Sequence, residues 1–175
     1  MEYNKCIECN EKKSYLNFTR DKKGFLDING EKRRSKCKVC CKKQIRNYLS
    51  TLKGFLKNLI KESKKRAKKK KLNYDLDYNY LEELWKKQNG KCNLSGMTMT
   101  HINNYGLKKK ISRCCPTNVS IDRINSKKGY IKENSQLICT WIQSAKNDYE
   151  QELFLNWIKI TCEYQKKFIT CGVRQ

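Results

Sequence analysis

Acidic residues are scarce in this chain: 17 Asp and Glu stand against 40 Lys and Arg, a formal net charge of +23. Such an imbalance directs the search for partners toward polyanions, drawn in over a Debye length and held in a salt-dependent way. Histidine is scarcer still. His101 is the only imidazole, so a reaction that needs an imidazole base has one place to find it. Long apolar runs are missing. No segment approaches the length of a membrane span, and no signal-like stretch precedes Cys6. These absences predict a soluble, intracellular protein of a reducing compartment, cytoplasm or nucleus. The single proline, with abundant Lys, Asn and Ile, suits an AT-rich genome. Aromatics are present: ten Tyr and three Trp argue against a disordered basic tail. A length of 175 residues fits one domain, or a small zinc module plus one modest core.

The cysteines are plentiful and patterned. Cys6-Ile-Glu-Cys9 and Cys37-Lys-Val-Cys40 are two Cys-x-x-Cys pairs, and residues 10–36 between them can fold back so that the pairs meet. Four thiolates so arranged form a structural zinc site. Two disulfides in a secreted domain are the competing arrangement, but the total of 11 cysteines is odd. Phe18, Phe25 and Leu26 are too few to make a core without metal, and Asn29-Gly30 signals a hairpin. Residues 1–41 therefore read as a two-knuckle zinc ribbon, with Cys41 a surplus thiol or alternate ligand. A zinc knuckle on so basic a chain points to nucleic acid.

Residues 42–72 carry 13 Lys and Arg against one acid, Glu62. Ile45, Tyr48, Leu49, Leu52, Leu56, Leu59 and Ile60 recur at helical spacing and predict a helix. Lys64, Lys65, Arg66, Lys68, Lys69, Lys70 and Lys71 then form a nearly unbroken charge run. So dense a run repels itself unless an anion screens it, which favours contact with a DNA backbone over a solvated linker. A second helix is predicted over 77–88, with Asp77 as its N-cap and Asn89-Gly90 as its end. Short strands and loops follow through residue 139, with turns at Ser95-Gly96, Asn103-Asn104 and Lys128-Gly129. A helix begins near Thr140. Residues 149–171 read as a closing helix with Leu153, Trp157, Ile160, Tyr164, Phe168 and Cys171 on one stripe, expected to be core or a packing face for the basic helix, with a dimer seam as the alternative.

Chemistry concentrates between Ser120 and Lys146. Ser120-Ile-Asp122-Arg123-Ile-Asn125 places a carboxylate on a strand. Lys128-Gly129-Tyr130 turns the chain, Asn134-Ser-Gln136 follows, and a helix presents Gln143 and Lys146 one turn apart. A strand carboxylate facing a polar residue of the next helix makes an oxygen-lined pocket for a hard cation. Lys146 and Arg123 are placed to neutralise phosphate around it.

These motifs, over roughly residues 75–148, resemble the HNH endonuclease family, whose fold is a two-stranded ribbon plus helix around one metal. Glu82 through Gly96 is similar to the helix and knuckle that open many such domains. Ser120 through Lys146 is similar to a subgroup reading Ser-x-Asp-Arg-Ile, Lys-Gly-Tyr, then Asn and a terminal Lys. Residues 1–41 resemble zinc knuckles that precede such domains in some phage and viral proteins. The resemblance implies that Asp122 and Gln143 ligate a catalytic Mg²⁺ or Mn²⁺, and that Asn134 orients the loop. Arg123 stands where most members carry the His that activates water, and a guanidinium is a poor general base. Cys92 and Cys139 keep one member each of the family's structural zinc pairs, with Ser95 and Ile142 in the partner positions. No conventional four-thiolate site is expected there; Cys114 and Cys115 are possible replacements.

The expected fold is α+β: zinc ribbon (1–41), basic linker helix (42–72), HNH-like ββα-metal domain (73–148) and C-terminal packing helix (149–175). The expected activity is metal-dependent hydrolysis of double-stranded DNA. Its catalytic set is Asp122, Arg123, Asn134, Gln143 and Lys146, and its structural Zn²⁺ is held by Cys6, Cys9, Cys37 and Cys40. The alternative is a DNA-binding protein derived from such a nuclease, supported by Arg123 and by the weak ligand Gln143. An RNA-binding zinc protein ranks behind both.

Overall fold

A computed structural model describes residues 2–102 and 115–169. The chain is mixed α+β. Its described residues divide into two units, 2–55 and 56–102 with 115–169. The Asn103-Asn104 turn, Cys114 and Cys171 lie outside the described residues. No helix among the described residues is long and apolar enough to cross a membrane.

In the first unit, β1 (Tyr3–Lys5) pairs antiparallel with β2 (Lys12–Ser14), and β3 (Phe18–Leu26) with β4 (Lys32–Cys37). Asn29-Gly30 lies in the β3–β4 turn, with Gly30 left-handed at φ 71°. Asp27 builds that turn. Its Oδ1 accepts the N–H groups of Asn29 and Glu31, each at 2.9 Å, and its Oδ2 takes the Arg33 guanidinium. Burial opposes the charge on Asp27, yet Arg33 and those two N–H donors hold its carboxyl below the usual range. The core here is small: Cys6, Phe18 and Cys37 are buried, with Phe25 set edge-on to Phe18 at 5.2 Å.

The predicted basic helix is two helices, α1 (Lys38–Ser50) and α2 (Leu52–Lys70). The break is at Thr51, which is extended and whose Oγ1 accepts the N–H of Gly54 at 3.1 Å. A Cβ at Gly54 would sit 2.0 Å from the Tyr48 carbonyl oxygen, so only glycine permits this restart. The apolar stripe passes through the break, which is why periodicity alone read one helix. A left-handed Lys71 ends α2, with the N–H of Leu72 bonded to the carbonyl of Ala67 at 2.9 Å.

In the second unit, α2 buries Leu56, Ser63 and Ala67, one face at helical spacing whose small members permit close packing. α3 (Tyr78–Lys87) starts on Asp77, whose carboxylate accepts the N–H of Tyr80 at 2.8 Å, and stops at left-handed Asn89 and Gly90. β5 (Val119–Arg123) and β6 (Ser135–Cys139) form an antiparallel hairpin with Asp122 opposite Gln136. Every residue of β6 is buried. α4 (Thr140–Lys146) packs on both strands and α3 on β6. Gln88 covers the outer edge of β6. Its amide donates to the Leu137 carbonyl at 2.8 Å and accepts the Leu137 N–H at 3.1 Å. α5 (Gln151–Ile169) closes the described chain and buries Phe154.

Candidate active site and metal centre

The Cys6, Cys9, Cys37 and Cys40 sulfurs lie within 4.8 Å of one another. A tetrahedral zinc with Zn–S bonds of about 2.3 Å needs sulfur–sulfur edges of about 3.8 Å, so the set fits a four-thiolate ion. Local backbone makes the clamp. Cys6 follows β1, a left-handed Asn10 closes the first knuckle, and Cys37 ends β4 with Cys40 in the first turn of α1. The Cys6 sulfur accepts N–H groups from Cys37 at 3.3 Å and Glu8 at 3.5 Å. Burial works to raise the Cys6 thiol, but donors from Cys37, Cys9 and Glu8 bring it down to about 6. Burial and the three neighbouring thiols push Cys40 up to about 12. A divalent cation would favour the thiolate form of all four. Cys41 stands outside the set, its thiol donating to the Lys36 carbonyl at 3.7 Å.

The second constellation assembles on the β5–β6 hairpin. A cleft of about 300 Å³ is lined by Asp122, Arg123, Tyr130 and Gln143, together with Arg66 and Lys70 of α2. Asp122 is 1% exposed. Its Oδ2 accepts Gln136 Nε2 at 2.8 Å, and its Oδ1 faces Lys146 Nζ at 3.2 Å. A carboxylate offers about four lone-pair sites, so two acceptor positions remain. Gln143 Oε1 is buried with no hydrogen-bond partner. A buried carbonyl oxygen without a donor is costly, and this one belongs to a residue lining the same cleft as Asp122. Carboxylate and orphaned amide oxygen together suit a hard cation.

Asn134 reaches across the strand connection. Its Oδ1 accepts the N–H of Asn125 at 2.9 Å, and its Nδ2 donates to the carbonyls of Asn125 at 3.0 Å and Gly129 at 2.9 Å. It staples the loop and does not line the cleft. Arg123 lines the cleft, but its guanidinium donates to the Ser126 and Lys128 carbonyls and to Asp148 Oδ1 at 2.8 Å. Lys146 departs from the expectation that it faces phosphate. Its side chain is 0% exposed, and its ammonium donates to Asp122 and, at 2.8 Å, to the Arg123 carbonyl. The short α4 points it inward, behind the carboxylate.

Two contributors are not placed in this cleft by the sequence: nothing there singles out Asp148, and Arg66 reads only as part of the DNA-contacting run. Asp148 joins Arg123 to Lys70, the latter at 3.0 Å. Lys70 chiefly, with Arg123 and Lys146 behind it, holds the Asp148 carboxyl below the usual range against some burial. Arg66 is the other. Its Nε donates to the Tyr130 hydroxyl at 3.3 Å, and its guanidinium stands 5.8 Å from that ring's centre. The i, i+4 spacing of Arg66 and Lys70 puts them on one face of α2. Their distance in sequence from Asp122 left no local signal that they share its cleft. The remaining basic residues of the run, Lys64, Lys65, Lys68, Lys69 and Lys71, are exposed.

Cys92 and Cys139 lie together, the Cys139 N–H donating to the Cys92 sulfur at 3.3 Å. Burial and the adjacent Cys92 push the Cys139 thiol up to about 11. His101 packs edge-on to Trp85 at 6.4 Å and does not line the Asp122 cleft. No family model, curated protein or solved structure matches the chain.

Proposed function

We propose that the chain is a metal-dependent endonuclease of double-stranded DNA, an HNH-type enzyme with a structural zinc ribbon. The observation that carries this reading is the unpartnered, buried Oε1 of Gln143, a residue that lines one cleft with Asp122, Arg66 and Lys70. Asp122 and Gln143 would hold a divalent ion, which when bound polarises the phosphoryl oxygens and acidifies water. Arg66 offers its charge to the phosphodiester while Tyr130 supports its guanidinium. Arg123 anchors the loop, and a guanidinium is a poor base toward water. Lys146 fixes the orientation of the Asp122 carboxylate from behind. Outside the cleft, the exposed lysines of α2 draw in the duplex backbone.

The test is supercoiled plasmid incubated with Mg²⁺ or Mn²⁺, with and without chelator. Divalent-dependent nicking is expected from the wild type, falling at least 100-fold in Gln143→Ala and Asp122→Asn with DNA affinity little changed. Equal cutting by both variants would remove the ion from this cleft. A second reading has its own observation: the Lys146 ammonium already sits 3.2 Å from Asp122 and competes with any cation there. Firm duplex binding without cleavage in either metal would establish the chain as a DNA-binding protein of nuclease descent.

A further inference from the structure

We propose that the exposed apolar face of α5 pairs two copies of this chain. Leu153, Trp157, Ile160, Tyr164 and Phe168 are 42, 43, 55, 56 and 56% exposed. Leu153, Trp157, Ile160 and Tyr164 recur at steps of four, three and four, the alternation of a coiled-coil seam. Phe168 extends it, its ring tilted against Tyr164 at 5.2 Å, and Trp157 is joined edge-on by Tyr149 at 4.9 Å. Buried Phe154, with half-buried Gln151 and Ile158, anchors the helix in its own unit along a face about 100° round from the stripe. The stripe is therefore not the face that attaches α5 to its core.

Area and charge together select the occupant. With aromatic side chains offering about 150–250 Å² each, the exposed fractions amount to roughly 500 Å² of apolar surface per copy. Two such faces reach about 1,000 Å², the threshold of a specific interface. Charge excludes the obvious polyanions. Residues 148–169 hold four acids (Asp148, Glu150, Glu152, Glu163) and three bases (Lys159, Lys166, Lys167), in a chain of net charge +23. DNA or an acidic protein is attracted to α2 and gains nothing at a near-neutral apolar stripe. A second α5 presents a matching apolar seam on a near-neutral helix, where two such basic chains can approach without strong repulsion. Pairing through this seam is independent of whether the Asp122 cleft cuts DNA.

Light scattering on nucleic-acid-free full-length protein tests it, between about 5 and 200 µM and at 0.15 and 0.5 M salt. The expected result is a discrete species of twice 20.9 kDa that persists at high salt. Trp157→Glu with Ile160→Lys should give the monomer mass, with an unchanged urea midpoint showing that the fold survives. A wild-type monomer throughout overturns the proposal and leaves the stripe to another segment or partner. Open-ended association, a dimer dispersed by 0.5 M salt, or a dimer indifferent to the two substitutions overturns it equally.

Discussion

Replacing Lys146 with methionine keeps the side-chain stem and removes a fully buried ammonium from its 3.2 Å contact with Asp122. At an effective dielectric near 20, two unit charges at that distance attract by roughly 5 kcal/mol. Desolvation of each ion costs several kcal/mol, so the net worth of the intact pair is small. Removing one partner is different, because the other charge stays buried and unanswered. We expect Lys146→Met to destabilise the second unit by about 3–5 kcal/mol, and Asp122→Leu to do the same. The double variant should lose well below the sum, since neither charge is then stranded. Trp85, Trp141 and Trp157, the chain's only tryptophans, all belong to this unit, so their emission in urea follows its unfolding alone. With a slope of about 2 kcal/mol per molar, the single variants should shift the midpoint by about 2 M. Additive losses, or a Lys146→Met shift under about 0.5 M, would show that the buried pair does not govern stability here.

Three further outcomes are expected. Purified protein should carry one zinc per chain, and Cys37→Ser with Cys40→Ser should abolish it and collapse the amide dispersion of residues 2–37; unchanged zinc would place the ion elsewhere. Neutralising Lys64, Lys65, Lys68 and Lys69 to Gln should lower the slope of log affinity for duplex DNA against log salt by up to about 0.9 for each phosphate no longer neutralised, whereas an unaltered slope would make the run a solvated face. Asp148 is depressed in the folded state, so its contribution to stability is present above the ordinary aspartate value of about 3.9 and is lost as pH falls through its lower folded value. Acid unfolding of Asp148→Asn should accordingly be less steep below pH 4 than that of the wild type, and parallel curves would refute the linkage.

Features written in adjacent residues were the ones legible in the sequence. The Cys-x-x-Cys pairs declare their chemistry by spacing, Asp77 declares a cap, and the Asp122-to-Gln143 order placed both in one cleft. Three features were not legible. The restart of α2 depends on Gly54 meeting the Tyr48 carbonyl, a contact that hydrophobic periodicity does not record. The burial of Lys146 depends on the inward face of a seven-residue helix, while a lysine beside a candidate phosphate site reads as solvent-facing by default. The arrival of Arg66 and Lys70 depends on how residues 71–77 return the chain to the hairpin, and no local pattern encodes that.

Those few residues act as a gauge. The Asn73 carbonyl accepts the N–H of Tyr130 at 2.9 Å, and the Tyr130 carbonyl accepts the N–H of Asp75 at 3.1 Å. Gly129 lies so close that a Cβ there would come within 2.2 Å of the Asn73 carbonyl oxygen. The separation between the basic helix and the Asp122 strand is consequently set by main-chain length and bonding together with Tyr74, whose hydroxyl meets Ser63 Oγ at 3.0 Å and the Ile60 carbonyl at 3.1 Å on α2. Point substitutions at Leu72 or Asn73 should leave the cleft's width almost untouched, whereas inserting or deleting one residue in the segment would reset it. Descendants of this chain seeking a wider or narrower substrate have a direct route through the length of that segment.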